Sequence, residues 1–417
     1  MQLQTILNRV AKHKSFVYGA VKLLAEGDEL SLEVKIEPRA NGRPLCSGCE
    51  QAAPGYDRLP ERRFKFVPLW GIAFYFVYAL RRVACPRCGV KVERVPWAAG
   101  KSQLTTTYQW FLARWAKRLS WSEVAACFQT SWEQVAQSVA MAVAWGLAHR
   151  DLTGVKAIGV DEIQWRRGHK YLTVVYQIDE GAKRLLWVGK DRTIETLTGF
   201  FDSFGAERTA QLQFVCSDMW QPYLKVIAEK AAQAVHILDR FHIMAKLNQA
   251  IDEVRANEAR QLKEEGDEPL LKHSRWCLLK RPRNLSDNQM SRLAELVKYN
   301  LKAVRSFLLR EDFQRFWEYR SPYHAAKFLD QWCKVVMRSR LEPMKKVART
   351  LRQHRQLILN WFVAKGTISA GKVEGLNNKV KLTMRKSYGF RTLETITLAL
   401  YHTLGALPEP EFTHRFS

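Results

Sequence analysis

Between residues 155 and 238 the chain alternates short apolar runs with amphipathic ones. VKAIGVDEI, KYLTVVYQID, KRLLWVGK and QFVCSD read as strands. TIETLTGFFDSF and QPYLKVIAEKAAQ, set between the later ones, read as helices. Several strands followed by strand–helix alternation predict an α/β sheet. Upstream, Leu30 to Ile36 alternates apolar and polar with period two, Phe66 to Leu80 is aromatic and β-branched, and Val90 to Val95 is strand-like. Residues 1–100 therefore read as β-rich. Through 101–150 apolar positions recur every three or four residues, at Tyr108, Phe111, Leu112, Trp115, Leu119, Val124 and Phe128, which predicts helices. Residues 240–365 are almost wholly helical in pattern and rich in charge, and 369–405 holds two helical stretches around Gly389.

These shifts divide the chain into a β-rich module (1–100), a helical module (101–150), an α/β core (151–240), a helical insertion (241–365) and a final helical segment (366–417). A length of 417 residues suits two to four domains. With 66 Lys+Arg against 41 Asp+Glu the formal charge is +25, which points to a polyanion whose counterions are released on binding. A membrane surface would satisfy the charge too, but no segment reads as a basic amphipathic anchor. The run Phe66–Leu80 is short for a bilayer and contains Pro68 and Gly71. The N-terminus lacks the apolar core of a signal peptide. The expected location is therefore the cytoplasm, where cysteines serve as metal ligands or core thiols.

Cys46-Ser-Gly-Cys49 and Cys85-Pro-Arg-Cys88 are two C-x-x-C knuckles flanked by turn formers. Four thiolates in two close pairs match the tetrahedral shell of a structural Zn²⁺, with no open position for catalysis. Cys127, Cys216, Cys277 and Cys333 stand alone and read as core thiols. After the second knuckle, the stretch Leu119 to Ala136 holds two helix starts, with Ser120 or Ser122 and then Thr130 or Ser131 as caps. Val124, Ala125, Phe128, Trp132, Val135 and Val139 would pack the corner of a helix-turn-helix. Glu133, Gln134, Gln137 and Ser138 would face outward toward a major groove. An ordinary helical hairpin has the same pattern.

Val155–Asp161 reads as an apolar strand ending on an acid, and Gln213–Asp218 as a second. Carboxylates at the ends of buried strands converge on one sheet edge, where a divalent cation compensates their desolvation. Downstream, helical spacing would put Glu374, Asn377 or Asn378, and Lys381 on one face. Three carboxylates suffice for two Mg²⁺ ions. Taken singly, a strand-end Asp also serves as a turn or cap, and a helical Glu beside Lys as a solvated pair. Glu162, Asp179 and Asp239 compete for these places. His236 and His242 flank Asp239 and read as structural or DNA-contacting, since Mg²⁺ prefers oxygen. Trp220 reads as packing rather than as a platform for a displaced base. Arg166, Arg167, His169 and Lys170 form a basic turn suited to phosphate, and Lys272, Lys280, Arg281 and Arg283 are further candidates.

The order of zinc knuckles, helix-turn-helix, GVDE, SDMW, VHILDRFHIMAKLNQAIDEVR and VEGLNNKVK resembles bacterial insertion-sequence transposases of the ISL3 type, over nearly the whole chain. These are DDE enzymes on a ribonuclease-H-like fold. The resemblance implies a multi-domain α+β protein: zinc-ribbon-like module, helix-turn-helix, and a ribonuclease-H-like core carrying a large helical insertion. It maps the triad to Asp161, Asp218 and Glu374 as ligands of two Mg²⁺ (or Mn²⁺) ions. It makes Lys381 the basic residue after the Glu, with Asn377 and Asn378 between. The implied activity is recognition of terminal inverted repeats, then metal-dependent strand cleavage and strand transfer. Gln134, Gln137, Ser138, Arg166, Arg167, Lys170, Asn377, Asn378 and Lys381 become the expected DNA contacts. The partners expected are transposon-end and target duplexes and further copies of the chain, in a homodimer or larger synaptic complex at the nucleoid. The rival expectations are a zinc-ribbon/helix-turn-helix regulator without catalysis and a nuclease that cuts but does not join.

Overall fold

The β-rich segment opens with a helix that the sequence pattern did not predict, α1 (Leu3–Val10), whose Leu7 is buried. Five strands follow: β1 (Phe16–Glu26), β2 (Glu29–Pro38), β3 (Gly55–Leu69), β4 (Ile72–Cys85) and β5 (Gly89–Val92). They form one mixed sheet in the order β1-β2-β4-β3, with β5 also on β4. β2 runs parallel to β4, and the other pairs are antiparallel. The aromatic run thus becomes the β3–β4 hairpin, turning at Trp70 and Gly71, which hold φ of 53° and 81°. Along β4, Phe74, Phe76, Tyr78 and Leu80 are buried while their neighbours are less so, the period-two signature of a strand with one face in a core. This computed structural model describes residues 2–27, 29–266, 269–364, 370–387 and 389–411.

The next helices start at hydroxyl caps. α2 (Thr106–Ala116) begins at Thr105, α3 (Trp121–Cys127) at Ser120 with a reciprocal bond from Glu123, and α4 (Trp132–His149) at Ser131. Residues 128–131 join α3 to α4 with Gln129 at φ 46°. Three expectations fail here. Ser138 does not face outward. It is fully buried, and its hydroxyl donates back to Gln134 O at 2.7 Å, because it lies on the same stripe as Val135 and Val139. Trp132 does not pack the corner but stays 42% exposed beside Trp121. Cys127, on the outer side of the short α3, is exposed, whereas Cys216, Cys277 and Cys333 are buried. Gln137 and Glu133 are exposed, and Gln134 is half-buried with its side-chain oxygen accepting from Thr130.

The second sheet comprises β6 (Ala157–Arg166), β7 (Lys170–Gln177), β8 (Arg184–Lys190), β9 (Phe214–Ser217) and β10 (Val235–Leu238), ordered β10-β9-β6-β7-β8. β6, β7 and β8 form an antiparallel meander, and β9 and β10 run parallel to β6. The helices α5 (Ile194–Phe204), α6 (Ala206–Ala210) and α7 (Gln221–Lys230) supply the crossovers. Leu197, Phe200 and Phe204 of α5 and Tyr223 and Ile227 of α7 pack with Ile158, Val160, Val175 and Val215 of the sheet. β6 does not end on Asp161 as the sequence suggested. Its hairpin with β7 continues to Arg166, opposite Lys170.

Among the described residues, seven α-helices follow, α8 (Arg240–Glu264), α9 (Arg275–Leu279), α10 (Asp287–Leu296), α11 (Lys302–Gln314), α12 (Pro322–Arg338), α13 (Glu342–Gln353) and α14 (Arg355–Val363), with 3-10 turns at Pro282–Asn284 and Arg315–Glu318. They share a core that includes Ile251, Phe307, Phe316, Trp332 and Phe362, joined by Leu238 from the end of β10. Asn360 of α14 also donates to His236 O at 2.8 Å, so this helical block is built onto the β10 edge. The last helices are α15 (Ala370–Lys386) and α16 (Leu393–Leu404). Contacts group Leu152–Lys381 as one unit, and residues 1–151 with the segment from Leu382 as another. The segment read from sequence as a single final piece, 366–417, is thus divided within α15. Beyond α16, Glu409 ties back to Arg114 at 2.8 Å and Lys117 at 2.7 Å.

Candidate active site and metal centre

The parallel registers align three acids. β6 and β9 pair from Ala157 with Phe214 to Gly159 with Cys216, and β9 and β10 pair up to Ser217 with Leu238. Extended by one or two residues, the same registers set Asp218 between Asp161 and Asp239. All three therefore lie at the carboxyl ends of parallel pairings, the edge where open α/β sheets bind ligands. β6 passes beyond this edge only along its β7 side. Asp161 shares the strand face of Gly159, opposite to the face that carries Ile158 and Val160 into the α5–α7 core.

α15 lies against that face. A Cβ at Gly159 would meet Val373 Cγ2 at 2.6 Å, so the absent side chain is what admits the helix. Val373, Leu376 and Val380 are buried at helical spacing, and Asn377 between them is half-buried. Asn377 was expected at DNA. Instead its amide Nδ2 donates to Asp161 Oδ2, and its Oδ1 accepts from Tyr176 OH at 2.9 Å. Glu374, Asn378 and Lys381 are exposed on the same helix.

Asp161 is 5% exposed, and its Oδ1 accepts from the Glu162 N–H at 2.7 Å. His242 Nε2 stands 3.7 Å from the same oxygen. Burial alone would push the His242 imidazole down, but the carboxylates around it, Asp161 first and then Asp239 and Asp218, carry it up to about 9. Burial raises the Asp218 carboxyl and brings Asp239 up to about 6, with the charges of Asp161 and Glu374 adding to the latter. Asp161 and Asp218 offer carboxylate oxygens, the donors that Mg²⁺ or Mn²⁺ takes, but the acids here are not drawn together as closely as the four thiols described below.

The competing residues sort by contact. Asp239 caps α8, its Oδ1 accepting from Phe241 N–H at 2.8 Å. Glu162 faces the other way and pairs with Arg192 at 2.6 Å. Asp179 lies at the far end of β6, where it accepts from Gln177 Nε2 at 2.7 Å and faces Lys156 N. His236 is a buried core imidazole bonded to Ser217 Oγ at 2.8 Å, and burial lowers it to about 4. Arg166, Arg167 and Lys170 are exposed at the β6–β7 tip, as are Lys272, Arg281 and Arg283 in the helical block. Lys280 is half-buried against Gln289 Oε1 at 3.1 Å. Sequence reasoning undervalued His242, although its place three residues after Asp239 puts it one turn into α8. It missed Arg192 altogether, because a lone arginine after a strand carries no pattern.

The Sγ atoms of Cys46, Cys49, Cys85 and Cys88 all lie within 4.8 Å of one another, and no other group of three or more such ligands gathers so closely among the described residues. The knuckles meet because β4 delivers Cys85 to the turn before β5, while Cys46 bridges to Glu93 just beyond β5. Backbone N–H groups of Cys88 and Arg87 draw the Cys85 thiol down to about 7, whereas the neighbouring sulfurs Cys49 and Cys46, with burial, push Cys88 up to about 12. Four thiols gathered this closely suit the tetrahedral shell of Zn²⁺. A Cβ at Gly48 would stand 3.1 Å from Cys88 Sγ, which explains the glycine in the first knuckle.

Comparison with known proteins shows which family the chain resembles. The family model of ISL3-type DDE proteins, described as transposase, matches residues 158–400. Over 409 residues the chain is 29% identical to the transposase for insertion sequence element IS1557 of Mycobacterium tuberculosis, covering 92% of this chain and 90% of that protein. It is 27% identical over 375 residues to the transposase for insertion sequence element IS1001 of Bordetella parapertussis, covering 89% and 91%.

Proposed function

Because this chain belongs to the ISL3 family of DDE transposases, we propose that it cuts and joins DNA at insertion-sequence ends with Asp161, Asp218 and Glu374 as its catalytic acids. The observation that supports this best is the strand register that aligns Asp161 with Asp218, with α15 laid over Gly159 beside them. The order β10-β9-β6-β7-β8, an antiparallel meander extended by two parallel strands, is read as ribonuclease-H-like. The helices α8–α14 are its insertion.

Asp161, Asp218 and Glu374 would hold two Mg²⁺ or Mn²⁺ ions. Such ions would supply activation of the attacking hydroxyl and charge stabilisation at the leaving oxygen. Asn377 orients the Asp161 carboxylate, and Tyr176 fixes Asn377 in turn. His242 stands beside the same carboxylate, 3.7 Å from its Oδ1. Water is the nucleophile for cleavage, and the freed 3′ hydroxyl is the nucleophile for transfer into target DNA. α3 and α4 are read as a helix-turn-helix that recognises terminal inverted repeats through Gln134 and Gln137. Arg166, Arg167, Lys170, Asn378 and Lys381 hold phosphates. Two ends require at least a homodimer, working in the cytoplasm at the nucleoid.

The test is cleavage and strand transfer on duplexes carrying the element's ends. Asp161→Ala, Asp218→Ala and Glu374→Ala should each abolish both reactions while end binding persists. Cleavage by all three variants would overturn the assignment. A chain that binds ends but never cuts is the regulator, and one that cuts without joining is the nuclease. Asn377→Ala should reduce the rate about 10–100-fold and raise the Mg²⁺ concentration needed, as loss of an outer-shell partner does.

A further inference from the structure

Beside the acids lies a stack of three flat groups that cleavage by itself does not use. The Arg192 guanidinium carbon is 4.1 Å from the centre of the Tyr171 ring and 4.7 Å from that of Trp220. Arg192 is held from several sides. Its Nη1 donates to Glu162 Oε1 at 2.6 Å. The preceding Asp191 N–H donates to Tyr171 O at 3.0 Å, and Thr173 Oγ1 donates to Asp191 O at 2.6 Å. Trp220 is fixed by its backbone N–H to Asp218 Oδ1 at 2.9 Å, with its indole N–H directed to Arg192 O at 3.4 Å. The stack is therefore tied to the second acid at one end and to the β6–β7 hairpin at the other.

Two features distinguish it from ordinary packing. Trp220 keeps 37% of its surface exposed, although it directly follows a buried strand end. Tyr171 opens onto the hairpin tip, where Arg166, Arg167, His169 and Lys170 are all exposed and the His169 ring stands 6.3 Å from that of Tyr171. Exposed aromatic surface backed by a clamped guanidinium, next to a cluster of cations, is the composition of a single-strand site: cations follow the backbone and π faces take the bases. In a paired duplex every base is already stacked on its neighbours. Such a platform therefore receives a base only after it has left the helix.

We propose that Trp220, backed by Arg192 and Tyr171, stacks an unpaired DNA base beside the phosphate that is cut. The inference rests on reading Asp161 and Asp218 as the cleavage site. Glu162, a rival for the first acid in the sequence, becomes a positioning residue that holds Arg192 against the indole.

The test compares binding of a fluorescein-labelled oligothymidine strand with a strand of the same length made of abasic tetrahydrofuran sites, using the full chain and fluorescence anisotropy. Base–aromatic stacking gives a preference for the thymidine strand of about tenfold. Trp220→Phe should keep most of it. Trp220→Leu, which preserves apolar bulk without a π face, and Trp220→Ala should lose most of it while duplex affinity stays unchanged. On end duplexes, Trp220→Leu should cut a fully paired substrate slowly and recover on one mismatched at the cleavage site. Retention of the thymidine preference by both Trp220→Leu and Trp220→Ala would overturn the proposal. Asp161→Ala should retain the preference. If Asp161→Ala still cuts, the acid assignment fails while the stacking result stands or falls on Trp220 alone.

Discussion

At Gly159 a methyl group would meet the Cγ2 of Val373 at 2.6 Å, closer than two carbons approach unless one of them moves. Gly159→Ala should lower stability by about 1–3 kcal/mol, the usual range for overpacking. Adding Val373→Ala should restore part of it, as thermal unfolding of the double variant would show. A single variant as stable as the parent would mean that α15 does not rest on β6 here. His402 makes a different prediction. It is 6% exposed beside Trp110, Ala142 and Leu407, and burial lowers its pKa from the ordinary 6.5 to about 3. The folded state thus holds the neutral ring, while the unfolded chain takes up a proton from about pH 6.5 downward. The stabilisation is complete above that pH and is lost as pH falls toward 3. Against His402→Gln, the advantage of the parent should shrink between pH 6.5 and 3, measured as the difference in unfolding midpoints. A constant difference would contradict the burial of a neutral ring.

Among elements, the starts of helices show how local chemistry and tertiary placement combine. Ser120, Ser131 and Thr193 cap the helices that follow them in sequence, and such caps are legible in the chain itself. α11 has no local cap. Glu258, 44 residues upstream on α8, accepts from Lys302 N–H at 2.6 Å and from Ala303 N–H at 2.7 Å. Its carboxylate therefore satisfies two otherwise unpaired donors and meets the positive end of the helix. Glu258→Ala leaves those buried groups unsatisfied and should cost about 1–3 kcal/mol, with Glu258→Gln milder. Hydrogen exchange of the first turn of α11 would report the loss. Unchanged protection there would refute the cap. Asp239 is the converse case: as an acid at a strand end it resembled a metal ligand, and it proves to cap α8.

For the whole molecule, the four-cysteine centre closes the knuckles at one end of the first sheet, whose own core of Phe64, Phe66, Phe76 and Trp97 lies elsewhere in that sheet. Elemental analysis of the purified chain should find one zinc per chain. Cys85→Ser should lose it and expose the knuckle region to protease, whereas Cys127→Ser, on an exposed thiol, should change neither. Intact zinc binding in Cys85→Ser would remove that residue from the shell. The sequence by itself determined the elements with strong periodicity and the thiol pairs, because these rest on spacing within a few residues. It also carried the family's motif order, which is what singled out Glu374 from its acidic neighbours. It left open which acids share an edge, since that depends on strand register across more than fifty residues. Only the tertiary structure set Asn377 on Asp161 and His242 beside it, and gave Glu162 to Arg192. In each case the deciding partner is remote in sequence or lies on a face that spacing alone leaves undetermined.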